Sequence, residues 1–224
     1  LEAMQAVRVP APPAQQCLSP IGEDLICRGL EKEIHLDFIK ARTRPSAVYG
    51  GHSFIVEAAI GYGGRIPPEG NARILRFANR VPLLYQQGAC AITDCVSQVN
   101  WKNYGLAQQG LPVGPVLIMV HVASTNVPFT SESKDAIASI PEIEREIVLV
   151  LQELGRELKR YLSRREKKKL QDDRARAVCS IIPEIAAKVS EIVELPPVDT
   201  TPIEGKIMRK VVAKKRTVDG KVSI

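Results

Sequence analysis

Residues 114–124, GPVLIMVHVAS, decide how the rest of this chain can be arranged. The run is apolar at successive positions until His121, so neither face of an extended segment here is solvent-facing. It is too short for a buried helix of ordinary length, and Gly114-Pro115 sets its start. A strand that is apolar on both sides belongs in the middle of a sheet covered on both faces. Working outward, HSFIVEAAIGYGG (52–64) is a second strand, alternating Phe54, Val56, Ala58 and Ile60 against Ile55, Glu57 and Ala59 before Gly63-Gly64. ARILRFANRVPLLY (72–85) reads as one further extended run, with Pro82 marking a bulge, an edge or the strand's end.

Between that run and 114–124 lies QQGACAITDCVSQVN (86–100). There Ala89, Ile92, Val96 and Val99 recur at helical steps, so a helix packs on the sheet. Strand, helix, loop and strand make a βαβ-like crossover. QVNWKNYGL (98–106) sits where the helix hands over to the loop. This stretch holds the chain's only tryptophan, with Lys102 between Trp101 and Tyr104. Upstream, residues 1–16 have the proline- and alanine-rich composition of a linker. Ser19-Pro20 predicts a helix start, with Ser19 as cap and Ile21, Leu25, Ile26 and Leu30 on the apolar face.

From Pro141 the spacing Ile143, Ile147, Val150/Leu151, Leu154, Leu158 and Tyr161/Leu162 predicts a long helix, and apolar positions return from Val178 to Ile192. Glu142, Glu144 and Glu146 suit its N-terminal dipole, and Pro183 predicts a kink. Helical throughout, 141–195 would span roughly 80 Å. Pro196-Pro197 ends it, and 207–224 reads as strand with an Asp-Gly turn. The expected fold is therefore α/β (α+β), with a helix-backed, mostly four-stranded sheet at 17–140, a stalk helix at 141–195 and a tail or further domain at 196–224.

Charge is unevenly placed. Residues 156–176 contain ten basic and four acidic side chains, and 204–224 seven and two, leaving the remainder at −5 against a whole-chain value of +6. Lys159, Arg160, Arg164, Arg165, Lys167, Lys168 and Lys169 fall around much of the helix circumference. That pattern suits diffuse contact with phosphates and gives no sequence readout; a solvated structural stalk is the other reading. Five scattered cysteines without a metal-ligand spacing fit a reduced cytoplasmic compartment. No apolar run is long enough to span a bilayer. The chain starts without methionine and stops in what reads as an unfinished hairpin, as an internal piece of a longer protein would.

RILRFANRVPLLYQQGACAIT (73–93), QVNWKNYGL (98–106) and VHVASTNVPFTSESKDAIA (120–138) resemble the B-subunit family of DNA topoisomerase VI, and the similarity runs in order from about Cys17 to Leu195. The resemblance implies the transducer region of that subunit. The family is a type IIB topoisomerase in which two A subunits cut double-stranded DNA and two B subunits hold ATP and Mg²⁺, an A2B2 heterotetramer that would be cytoplasmic and nucleoid-associated. It further implies that Lys102 is the switch lysine reaching the γ-phosphate of ATP, with Trp101 and Tyr104 aiming it. ATP and Mg²⁺ would be held mainly by an upstream ATPase domain, so this piece alone would be catalytically incompetent. The stalk would reach the A subunit. Asn79 and Arg80 belong to the resembling pattern as supporting residues; with Arg76 they read as structural hydrogen-bonding groups or as nucleotide contacts. His121 reads as a satisfied core histidine. Thr130 or Ser131 reads as a cap for a helix at 134–138 rather than as part of a nucleophile–lysine pair. Two other functions stay open: a non-enzymatic B-like activator of a DNA-cutting partner, and a basic nucleic-acid-binding module.

Overall fold

The computed structural model describes residues 18–194, 196 and 199–207; the 1–16 linker and nearly all of the strand expected at 207–224 lie outside them. Residues 201–207 are helical. The chain divides into two compact units, Leu1–Tyr161 and Leu162–Ile224. Helix α1 (Glu23–Glu33) is followed by β1 (Phe38–Thr43), β2 (Ala47–Tyr49), β3 (His52–Tyr62), β4 (Arg73–Ala78) and β5 (Val81–Pro82). Then come α2 (Ala91–Gln98), β6 (Ala107–Gln109), β7 (Leu111–Val113), β8 (Val116–Ser124) and α3 (Pro141–Val193).

The sheet runs β1-β3-β8-β4-β5, with β2 also on β3. Four longer strands thus form the expected sheet, and two short ones extend it. β8 lies in the middle and every one of its nine residues is buried, as its two-sided apolar run requires. It pairs antiparallel with β3 and parallel with β4, so β4-α2-β8 is the crossover that the helical spacing between two strand runs implies. β6 and β7 form a separate hairpin.

Alternation of side chains assigns the two faces. Ala41, Ala59, Leu117 and Met119 pack with Ile26 and Leu30 of α1. On the opposite face Phe54, Val56, Ala58, Ile60, Ile118, Val120 and Val122 are buried. α3 packs against that face through Tyr161, and α2 packs on the start of α3. Phe38 stacks on Tyr161 at 4.7 Å, and Cys95 Sγ lies 3.8 Å from the Glu144 carbonyl. Ile143, Ile147, Val150, Leu151, Leu154 and Leu158 are fully buried, so these turns belong to the core of the first unit. Arg44 fastens the same turns: Nε donates to Glu146 at 2.8 Å and Nη1 to Glu153 at 2.6 Å, two carboxylates seven residues apart on one helix face.

Three local expectations are corrected. α1 begins at Glu23 behind Gly22 (φ 93°), not at Ser19-Pro20, because the amides of Ile21 and Gly22 are both taken at 2.7 Å by the carboxylate of Glu57 from β3. Ser19 Oγ instead accepts from Arg80 at 2.8 Å. The run 72–85 is two strands: Asn79 and Arg80 both adopt positive φ (46° and 68°), a two-residue reversal that pairs Ala78 with Val81. Residues 134–138 are not helical. Lys134 has φ 58° and Phe129 bridges to Ile137, closing a small loop over Ser131 and Ser133. The helical assignment of α3 continues through Pro183.

Candidate functional site: the Lys102 turn

Trp101–Tyr104 form a single 3-10 turn directly after α2, ended by Gly105 in the left-handed conformation (φ 87°). The turn is anchored from inside. Trp101 is fully buried, and its indole N–H donates at 2.7 Å to the Val96 carbonyl in α2. Its backbone N–H donates at 3.0 Å to Oε1 of Gln108, whose Nε2 lies 3.0 Å from the carbonyls of Ser97, Val99 and Gly110. One side-chain amide therefore ties the end of α2, the turn and the β6-β7 hairpin together. Tyr104 is half-buried, its ring edge-on to Trp101 with centroids 6.0 Å apart. Lys102 lies between these two residues and is exposed. The arrangement is an exposed charged tip on a backbone held by a buried aromatic and a four-point amide clasp.

Asn79, Arg80 and Arg76 serve the other end of β4. The Asn79 side chain donates to the Ser124 carbonyl and accepts from its N–H, at 3.0 and 2.9 Å, as a strand neighbour would. Arg76 is buried and its guanidinium satisfies the carbonyls of Leu83, Tyr85 and Gln86, fixing the chain after β5. Arg80 donates to Ser19 Oγ and to the Pro20 carbonyl. Its backbone N–H donates at 3.0 Å to Nε2 of His121. Since that nitrogen accepts, the proton of the neutral ring sits on Nδ1, 2.9 Å from Glu57 Oε2. His121 is thus a satisfied core histidine, cross-strand from Glu57. Burial pushes the Glu57 carboxyl up, but hydrogen bonds from His121, the Ile21 and Gly22 amides and Thr43 outweigh it and bring it down to about 2.

The buried thiol of Cys95 is raised to about 12, first by burial and then by Glu144 and Asp94, which keeps it an inert thiol. Among the described residues, no group of three or more His, Cys, Asp or Glu could hold a metal ion. None of the described helices is long and apolar enough to cross a membrane. In α3, Lys159, Arg160, Arg164, Arg165, Lys167, Lys168 and Lys169 are all exposed, and Arg160 pairs with Glu157 at 2.8 Å.

A family model described as the topoisomerase VI B subunit, transducer, matches residues 13–174. The chain belongs to that family. A relative from Methanosarcina mazei, named as the B subunit of type 2 DNA topoisomerase 6, is 50% identical over 229 residues, covering 100% of this chain and 37% of the relative. A relative of the same name from Natronomonas pharaonis is 48% identical, covering 98% of this chain and 28% of its own length. The chain therefore spans about a third of the curated relatives it matches. Among solved structures, the gyrase B protein of Myxococcus xanthus aligns at 18% identity and a TM-score of 0.40, covering 60% of this chain and 38% of that one, a likeness too slight to bear on the site.

Sequence reasoning did not single out Gln108 or Arg44, which fix the turn and α3, or Gly155, where a Cβ would fall 2.6 Å from the Tyr104 ring. Gly155 carried a visible signal: a glycine inside an otherwise apolar helical face.

Proposed function

We propose that this transducer region relays the nucleotide state of a topoisomerase VI B subunit to a DNA-cutting A subunit, with Lys102 as the sensing group and α3 as the lever. The observation that carries the reading is an exposed lysine on a turn whose backbone is fixed by Trp101 and Gln108. ATP, when held by the upstream part of the protein, supplies a terminal phosphate that hydrolysis removes. The residues present fit one contact to that phosphate. The Lys102 ammonium is a compact donor, and its charge-assisted bond exists in only one nucleotide state. A group with different affinity for the two states biases the conformation that presents it. In this reading Mg²⁺ is held by the upstream domain, since the described residues offer it no cluster of ligands.

The exposed basic segment of α3 supports a second contact of the same assembly, with the phosphates of double-stranded DNA. The A2B2 arrangement, which includes a second B subunit, is part of this proposal, as is a nucleoid-associated cytoplasmic location.

The test replaces Lys102 with Ala in the complete assembly. A lost charge-assisted bond of about 1.5–3 kcal/mol lowers ATP turnover and strand passage by roughly tenfold to a hundredfold, with folding retained. Unchanged turnover would remove the sensing role and favour the reading of a B-like structural activator.

A further inference from the structure

Glycine is among the poorest residues for a helix interior, yet Gly155 lies in α3 among the fully buried Leu151, Leu154 and Leu158. The reason is contact. A Cβ at Gly155 would fall 2.6 Å from Cδ2 of Tyr104 and 2.8 Å from its Cε2 and Cγ. Three atoms along one side of the ring therefore press on the helix backbone, closer than any side chain permits. Gly29 inside α1 and Gly205 in the helical segment 201–207 have nothing within 4 Å of their own Cβ positions, so among the described helical glycines the close approach is made at Gly155. The ring that presses on α3 also packs on Trp101, which is bonded to α2. Lys102 stands between those two aromatic residues.

We infer that Tyr104 and Gly155 form a bearing, a positioning pair that holds the Lys102 turn at one station along α3 so that turn and helix move together. This rests on the sensing role proposed for Lys102 and adds the route by which the movement leaves the turn. A ring seated directly on helix backbone leaves no intervening side chain to change rotamer and absorb the displacement. The hydrogen bonds of Trp101 and Gln108 make the turn stiff; the Tyr104–Gly155 contact connects that stiffness to the lever. Neither residue touches nucleotide in this scheme.

The experiment uses the full-length protein in complex with its A subunit and measures strand-passage events per ATP hydrolysed. Gly155→Ala forces the ring off the helix, and Tyr104→Ala removes the ring. Each is expected to lower passage per ATP at least fivefold, whatever happens to turnover itself. The double variant Tyr104→Ala/Gly155→Ala relieves the clash without restoring the contact, so it stays uncoupled. If Gly155→Ala fails to fold, Tyr104→Ala carries the test alone. Passage per ATP within twofold of the unmodified complex in the folded variants overturns the bearing. Lys102→Ala is run alongside and reads the sensing role separately: a turnover loss there together with normal coupling in the Tyr104 and Gly155 variants rejects the bearing and leaves the sensing role standing.

Discussion

Replacing Glu57 with Gln tests whether the buried carboxylate is the fastener that seats α1 on the sheet. Oε1 accepts from the Gly22 amide at 2.7 Å and from Thr43 Oγ1 at 3.0 Å, while Oε2 accepts from the Ile21 amide at 2.7 Å and from His121 Nδ1 at 2.9 Å. Whichever oxygen becomes an amide NH₂, it faces one or two donors with a donor. Two lost bonds to a charged acceptor cost about 3–6 kcal/mol, reduced by no longer burying a charge, so the net loss at pH 7 is about 3 kcal/mol. Proton linkage, which rests on the same hydrogen bonds, gives a similar size. The folded-state value of about 2 against an ordinary 4.5 corresponds to about 3 kcal/mol. Because the folded value is depressed, the unfolded chain binds the proton first as pH falls. The contribution is full above the unfolded value near 4.5 and is lost as pH drops toward 2. Urea unfolding followed by the fluorescence of Trp101, the single tryptophan and fully buried, reads the first unit directly. The stability gap between the parent and the Gln variant is expected near 3 kcal/mol at pH 7 and about half that at pH 3. A gap below about 1 kcal/mol at pH 7, or one that stays constant down to pH 3, would refute the reasoning.

Two further outcomes follow from charge. Arg44→Ala frees Glu146 and Glu153 and should destabilise the first unit by about 1–2 kcal/mol in low salt, since Arg44 and Glu146 are only 22% and 17% exposed. The loss should shrink in about 1 M salt, checked by paired denaturation curves; an unscreened loss would point to packing of the arginine stem. Changing Lys167, Lys168 and Lys169 to Gln in the assembled enzyme should weaken duplex DNA binding and lower the slope of log affinity against log salt by up to about three. An unaltered slope returns this segment to a solvated stalk.

What was legible in the sequence was whatever local pattern determines alone. The two-sided apolar run of 116–124 could only be a covered central strand, and helical spacing between two strand runs implied the β4-α2-β8 crossover. The long helix was legible from Ile143 to Leu158 because its core face repeats without interruption. The misreadings have causes that the local sequence pattern does not display. Ser19 looked like a cap, but a carboxylate more than 30 residues away captures the amides at the helix start. Asn79-Arg80 reverses the chain with two positive-φ residues, and arginine does not advertise that conformation. The aromatic flanks of Lys102 were visible locally, but the sensing role proposed for it came from the family resemblance. Gly155 stands in plain view in the sequence, but its meaning depends on Tyr104, which is distant along the chain and brought there by the fold.

Under the sensing role proposed for Lys102, the energetics of one lysine account for the structure that surrounds it. A single charge-assisted contact of about 1.5–3 kcal/mol can shift a two-state equilibrium by at most about tenfold to a hundredfold, and only by its difference between the states. Part of that is spent on ordering a side chain with four rotatable bonds, whose restriction costs up to about 2 kcal/mol. If the backbone beneath Lys102 also had to be ordered on contact, little would remain to move α3. Burying Trp101, clasping the turn with Gln108 and seating Tyr104 on Gly155 place that backbone cost in folding, before any phosphate arrives. On the same proposal, this bound has Lys102 biasing a movement rather than driving it fully.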